Sequence, residues 1–336
     1  MNRNYYFDNM KAFLIFMVVL GHMISSFWSL GTAVHTTMYL WIFSFHMPVF
    51  IFASGYFAST DTKKTLSRLV PLYLVFQMVQ IIIKFAYAYS NDPETAVFDF
   101  QLFKPEWTLW YLMALILYSF LTPILDTDDR KKQIRNFVIA LAAGLIIGFT
   151  PYTDNFLAIS RMVTFLPFFL LGYYGKKNQG ILSVFAGTCK HGKTRLLPYR
   201  IIGVGGAIAM TALIIAAAGE VNAKWFFGTL AYGDTFTIWC KVFTYLVSFA
   251  WLVIIVFLTP PKRIPFVDKI GQNTLGIYLF HTAVISVLKV VPPAKAALDQ
   301  YFAVIVVGSI IITIVLALDP FTKFLKLIRI PYKKNN

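Results

Sequence analysis

Charge is what this sequence has least of. Only 13% of its 336 residues are charged, while 58% are hydrophobic. A soluble domain has about a quarter of its residues charged, so the deficit points to lipid as the main solvent. Apolar runs of about 20 residues recur along the whole length, which excludes a single-helix anchor. Cysteine is nearly absent: Cys189 falls in a basic loop and Cys240 in an apolar segment. Two such positions offer no metal-ligand spacing and no disulfide framework, and no metal is expected. Acidic residues are scarce too, 15 against 30 basic ones, for a net charge of +15. On a multi-span chain that excess belongs in cytoplasmic loops, where it sets topology and meets anionic lipid, so no nucleic-acid partner is expected. The apolar start lacks a small-residue cleavage site and further spans follow it, so it reads as a retained helix. No internal repeat or low-complexity tract appears, and no loop is long enough for a separate folded domain. Residues 1–336 therefore read as one integral membrane domain, whose helical bundle must hold any chemistry.

What is present is a series of ten candidate helices, at 8–29, 37–58, 69–89, 107–125, 135–150, 158–175, 200–218, 236–258, 271–290 and 301–319. Placing loops on alternate sides tests the count. All 30 Lys and Arg but Lys84, Lys104, Arg161, Lys224, Lys241, Lys289 and Lys295 then fall on one side or at its edge. The positive-inside rule puts both termini in the cytoplasm. The fold class expected is an all-α polytopic bundle of about ten transmembrane helices. Trp28, Trp41, Trp107 and Trp225 lie near span ends and fit interfacial anchoring. Lys84 and Lys241 are expected to snorkel.

Within these spans sit polar groups that lipid would reject. The first, "YYFDNMKAFLIFMVVLGHM", carries Asp8, Lys11 and His22. At about 100° per residue the eleven-residue step from Lys11 to His22 makes nearly three full turns, so the two share a face about 16 Å apart. Asp8 lies close to the same face and can pair with Lys11 three residues on. The second span, "MYLWIFSFHMPVFIFASGYFAST", holds His46, with Pro48 to free a carbonyl and Ser54-Gly55 to mark a close approach or break. The ninth, "IGQNTLGIYLFHT", holds His281. Each histidine could be an interhelical hydrogen-bonding contact, but three at comparable depth in three spans point to function, because each is costly to bury. Arg68 stands at the inner edge of the third span, where topology alone could explain it. Glu106 stands at the outer edge of the fourth, and Arg161 at the outer end of the sixth, where basic residues are rare.

Taken together, "YFDNMKAFLIFMVVLGHM", "FSFHMPVFIFASGYF", "TLWYLMAL", "FLPFFLLGYYGKK" and "IGQNTLGIYLFHT" in that order resemble the acyltransferase-3 family of integral membrane acyltransferases, most closely its fucose 4-O-acetylase-like branch. The likeness covers nearly the whole chain. Lys11 and His22 match the family's arginine-or-lysine, ten residues, histidine signature. Ser54, Gly55, Tyr56 and Phe57 match its serine-glycine-x-phenylalanine motif. Arg68 matches the arginines after the second span in part, since Lys63 or Lys64 replaces a paired arginine. The larger members carry an extracytoplasmic esterase-like domain that this chain lacks.

The resemblance implies transfer of an acyl group, usually acetyl from cytoplasmic acetyl-CoA, to a hydroxyl of a glycan or lipid-linked sugar at the bacterial plasma membrane. His22 could act as general base or as an acyl-carrying nucleophile, and the sequence leaves both open. Lys11 and Arg68, with Ser54 nearby, are candidates to hold the CoA phosphates, and Asp8 to orient Lys11. His46, Glu106, Trp110, Arg161 and His281 would line the acceptor side. An envelope-assembly partner or a homodimer is compatible with this reading. Two other classes compete: an exporter or flippase for a polysaccharide or lipid-linked sugar, and a scaffold subunit of an envelope-assembly complex.

Overall fold

A computed structural model of the chain describes residues 4–27, 33–150, 156–178 and 196–332. Trp28, Cys189, Arg3, Lys333, Lys334 and most of the basic loop at 176–199 lie outside the described residues. Among the described residues the fold is all-helical. The helices are α1 (Tyr5–Ser26), α2 (Ala33–Phe43), α3 (His46–Phe57), α4 (Thr62–Asn91), α5 (Trp110–Leu125), α6 (Arg130–Ile146) and α7 (Ile159–Lys177), followed by α8 (Leu197–Ala217), α9 (Ile238–Leu258), α10 (Val267–Gln272), α11 (Thr274–Val290), α12 (Pro292–Gln300), α13 (Phe302–Leu316) and α14 (Asp319–Ile328). Side-chain caps fix several starts: Asn4 accepts from Phe7 N–H, Asp61 from Lys64, Asp129 from Lys131 and Thr237 from Cys240, each satisfying a donor the first turn leaves open.

Seven stretches among the described residues are long and apolar enough to cross a membrane, and the bent pairs α11–α12 (100°) and α13–α14 (57°) bring the number to nine if each is one span. The ten expected spans each find a helix, but the sixth falls short of that set. Arg161, Lys176, Lys177, Pro167 and paired tyrosines lower the mean hydropathy of α7. Most of its length from Ser160 to Tyr174 is packed against neighbouring helices.

The position of α1 explains how it keeps an acid, a base and an imidazole. Of its most apolar window, 78% is buried inside the protein, against 11% for α8. It packs against α2, α3, α10, α11 and α13, so its polar groups meet protein. Tyr6 Oη donates to the Val256 carbonyl at 2.8 Å, and Asn9 Nδ2 to the carbonyls of Pro260 and Lys262. Helix α10 lies backbone to backbone on α1: a Cβ added to Gly271 would run into the Asp8 carbonyl.

The second span is broken at Ser44-Phe45, one turn earlier than Pro48, which falls in the first turn of α3 where its missing N–H costs nothing. Unwound backbone at membrane depth must find partners inside the protein, and it does. Ser44 Oγ donates to Trp41 O, His46 Nδ1 to Ile42 O at 2.9 Å, and Ser248 Oγ to Ser44 O. Ser54-Gly55 is a close approach and not a second break. A Cβ on Gly55 would meet the Phe169 carbonyl, and one on Gly172 the Phe52 carbonyl, so α3 and α7 touch along their backbones.

One lysine expectation is corrected. Lys241 does not snorkel: it is 1% exposed, and its Nζ donates to Thr164 Oγ1 at 2.8 Å. It stands in the first turn of α9, and the contact with Thr164 turns it toward α7 instead of the helix end. Lys84 reaches outward but ends on Glu106, 2.9 Å away.

Candidate active site

A cavity of about 330 Å³ opens at the end of the bundle where α1 finishes and α5 begins. It is lined by Val18, His22, Ser25, Tyr39, Phe43, His46, Met47, Lys84, Lys104, Pro105, Glu106, Trp107, Thr108, Trp110, Arg161, Phe165, Phe226, Phe227 and Tyr278. Five residues singled out in the sequence therefore converge on one space from five elements: His22, His46, Glu106, Trp110 and Arg161. The sequence motifs did not identify Tyr39, Lys104, Phe226, Phe227 and Tyr278 as walls. Phe226 and Phe227 belong to a 3₁₀ turn in the loop at 219–235, and only the fold brings that loop over α2.

His22 is the most centrally placed. Its ring centroid lies 5.4 Å from that of Trp107, 5.4 Å from that of His281 and 6.2 Å from that of Phe43. His281 does not line the cavity; it sits behind His22, fully buried. Its Nδ1 lies 2.7 Å from Tyr278 O and 3.1 Å from Ile277 O. Carbonyls only accept, so Nδ1 carries the proton and Nε2 presents the lone pair of the neutral ring. That Nε2 has no hydrogen-bond partner among the described residues. The same logic fixes His46, whose Nδ1–H goes to Ile42 O. Gln80 donates to Thr282, the residue after His281, and steadies that turn of α11.

The opposite wall is a clamped loop. Gln77 on α4 is fully buried and donates through Nε2 to Gln101 O (2.9 Å) and Lys104 O (2.8 Å), while its Oε1 accepts from Glu106 N–H (3.0 Å). Tyr73 Oη holds Leu102 O at 2.6 Å. The loop then enters a short 3₁₀ turn at Trp107, which sits at φ 42°, a left-handed conformation uncommon for a bulky residue. Tyr278 Oη donates to Thr108 O just beyond it. Trp110 stacks on Phe165 at 5.5 Å, and the Arg161 guanidinium lies 5.1 Å from the Trp110 ring centroid, a cation–π arrangement. Lys289, from α11, lies over Trp107 at 5.2 Å.

The remaining expected residues gather at the other end of the bundle, around the second half of α3. Lys11 pairs with Asp8 at 3.2 Å and lies 5.1 Å from the Phe57 ring centroid. Ser54 Oγ donates to Phe50 O and lies 2.6 Å from Tyr111 Oη, and Tyr111 is within electrostatic reach of Arg68. The serine-glycine-x-phenylalanine stretch thus has a physical reading: Ser54 ties α3 to α5, Gly55 admits α7, and Phe57 receives the Lys11 ammonium. Lys11, Asp8, Ser54 and Arg68 do not line the cavity. Lys11 and His22 thus share a helix face without lining this cavity together. The cavity stops at Val18, and Leu14 and Ile15, on the stripe between the two groups, are fully buried.

An all-helical, multi-pass membrane protein with a histidine-lined cavity at one end and a cationic rim at the other is the class these features define. The acyltransferase domain family model matches residues 4–318, and the chain belongs to that family. Among curated proteins it is similar to the nodulation protein NolL of Sinorhizobium fredii (strain NBRC 101917 / NGR234), at 26% identity over 192 residues, 51% of this chain and 48% of NolL. The chain thus spans about half the length of that relative. No solved structure matches it.

Proposed function

We propose that this protein moves a short acyl group, acetyl in the first instance, from a cytoplasmic acyl-CoA to a hydroxyl of a cell-surface glycan or lipid-linked sugar at the bacterial plasma membrane. Both termini then face the cytoplasm, as does the rim of Lys11 and Arg68. The observation that carries the reading is the convergence of His22, His46, Glu106, Trp110 and Arg161 on one cavity. Aromatic walls suit the apolar faces of a sugar ring, and neutral imidazoles suit proton removal from a hydroxyl near neutral pH.

In the proposed step the acceptor hydroxyl oxygen attacks the thioester carbonyl carbon. Its proton passes to the His22 imidazole, the C–S bond breaks as the C–O bond forms, and the same proton leaves with the CoA sulfur as thiol. If His22 instead carries the acyl group, its nitrogen attacks the thioester carbonyl and the C–S bond breaks, CoA leaving as thiol with the imidazole proton. The sugar hydroxyl then attacks the acyl-imidazole, the C–N bond breaks, and the hydroxyl proton passes through His281 or His46 back to His22. Arg161 and Glu106 would orient the acceptor. In the structure Leu14 and Ile15 close the stripe between the rim and His22, so donor entry requires those side chains to move. Lys11, steadied by Asp8, and Arg68 would hold the donor's phosphates, with Ser54 positioning Tyr111 beside Arg68.

The test is His22→Ala in purified protein that melts like the wild type, with transfer of labelled acetyl from acetyl-CoA to glycan measured directly. Loss of at least about 100-fold in turnover is expected for removal of a general base. Turnover within a few-fold of wild type would remove His22 from the mechanism.

A further inference from the structure

The C-terminal end of the described chain returns to the rim. Helix α14 is strongly amphipathic, with Phe321, Phe324, Leu325 and Ile328 set against Lys323 and Lys326, and it turns 57° away from α13. Such a helix lies along a membrane interface. The residues that follow form a strap over the start of α4: Ile330 N–H donates to Ser67 O at 3.1 Å, and Tyr332 Oη to Asp61 Oδ1 at 3.2 Å. The first backbone bond sets Arg329 beside Arg68. The two guanidiniums repel each other, and burial adds to the cost of the Arg329 charge. Asp61, the N-cap of α4 that the strap reaches through Tyr332, already accepts from Lys64 N–H and Tyr332. Arg329 Nε is buried and has no hydrogen-bond partner among the described residues. Two like charges held together, one with a buried donor unmet, describe a place built for an anion.

We infer that Arg329 and Arg68 form a two-arginine clamp for the phosphates of the acyl donor, and that the C-terminal strap carries half of it. This rests on the acyl-CoA reading above. Arg68 lies within the stretch matched by the family model, and residues 319–332 lie beyond it. Arginine suits the role because its planar fork meets two phosphate oxygens at once, whereas a lysine offers a point charge. An anionic lipid headgroup presents the same chemistry at the same depth, and the experiment separates the two sources.

Binding is measured on the full chain in nanodiscs, with acetyl-CoA and with S-acetylpantetheine, which has no phosphate. In phosphatidylcholine discs Arg329→Gln should weaken acetyl-CoA binding about 10- to 100-fold, the range for hydrogen bonds to a charged group, and leave S-acetylpantetheine binding unchanged. Arg329→Lys, which keeps the charge and the fold but loses the fork, should fall between. Equal weakening for both probes, or acetyl-CoA binding by Arg329→Gln equal to wild type, overturns the clamp. So does an effect that appears only when phosphatidylglycerol is added to the discs, which assigns the pair to lipid. If the wild type binds no acetyl-CoA, the donor reading falls and the clamp falls with it. If it binds and Arg329→Gln binds as well, only the clamp falls.

Discussion

Gln77 lines no part of the cavity, yet its replacement should be among the more damaging single changes near it. Its amide makes three hydrogen bonds, all to the backbone of residues 101–106, whereas Lys84, also on α4, holds the Glu106 side chain. Gln77→Leu keeps the size of the side chain but leaves two carbonyls and one N–H without their partner. A buried polar group left unmet costs about 1–3 kcal/mol. The loop is partly exposed and can recover water, so the total should be on the order of 2–4 kcal/mol rather than the full sum. Part of that cost appears as unfolding and part as a loosened wall, since Trp107 is held in its left-handed conformation by this clamp and by Tyr278. Thermal melting of the detergent-purified variant should show a clear drop. Transfer assays should show a rise in acceptor KM, while the KM for acetyl-CoA stays near wild type because the rim proposed to hold the donor is at the other end of the bundle. A variant that melts and turns over like wild type would refute the clamp. A variant in which both KM values rise together would show general loosening instead.

Two further substitutions test the packing. Gly55→Ala places a methyl group on the Phe169 carbonyl, so α3 and α7 must separate. Overpacking of this kind costs about 1–3 kcal/mol, read as a lowered melting temperature, whereas an unchanged one would mean the helices are not in backbone contact. Lys241→Met removes a buried amine that donates to one threonine hydroxyl and replaces it with an apolar chain of similar length. The melting temperature should rise, by the equivalent of about 1–3 kcal/mol for unmet donors removed. A fall, or loss of transfer activity, would give Lys241 a role this fold does not reveal.

The ten helices were legible because lipid enforces length and apolarity, and each expected span has its counterpart within a few residues. His22, His46 and His281 stood out because an imidazole in an apolar run is costly wherever it faces. The Asp8–Lys11 pair followed from helical spacing alone and is present at 3.2 Å. The fate of Lys241 was not legible: snorkelling and burial begin from the same sequence, and only the neighbour on α7 decides between them. The break in the second span was readable from proline in kind but not in place. The capping groups that allow it are Ser44, His46 and Ser248, the last some 200 positions away.

By itself, the sequence determined that this chain crosses a bilayer many times and which polar groups demand an explanation. These are one-dimensional properties: local hydropathy, the cost of charge in hydrocarbon, and the period of a helix. What it could not determine is which apolar helix faces lipid and which faces protein. Helices α1 and α8 look alike in hydropathy, 1.5 and 1.9, but the first is 78% buried and the second 11%. Nor could it say that the loops at 101–107 and 223–227 close over His22, or that Lys11 and His22 share a stripe without sharing a cavity. Those facts depend on which side chains fill the space between distant segments, and packing of that kind is set only when the whole bundle has assembled.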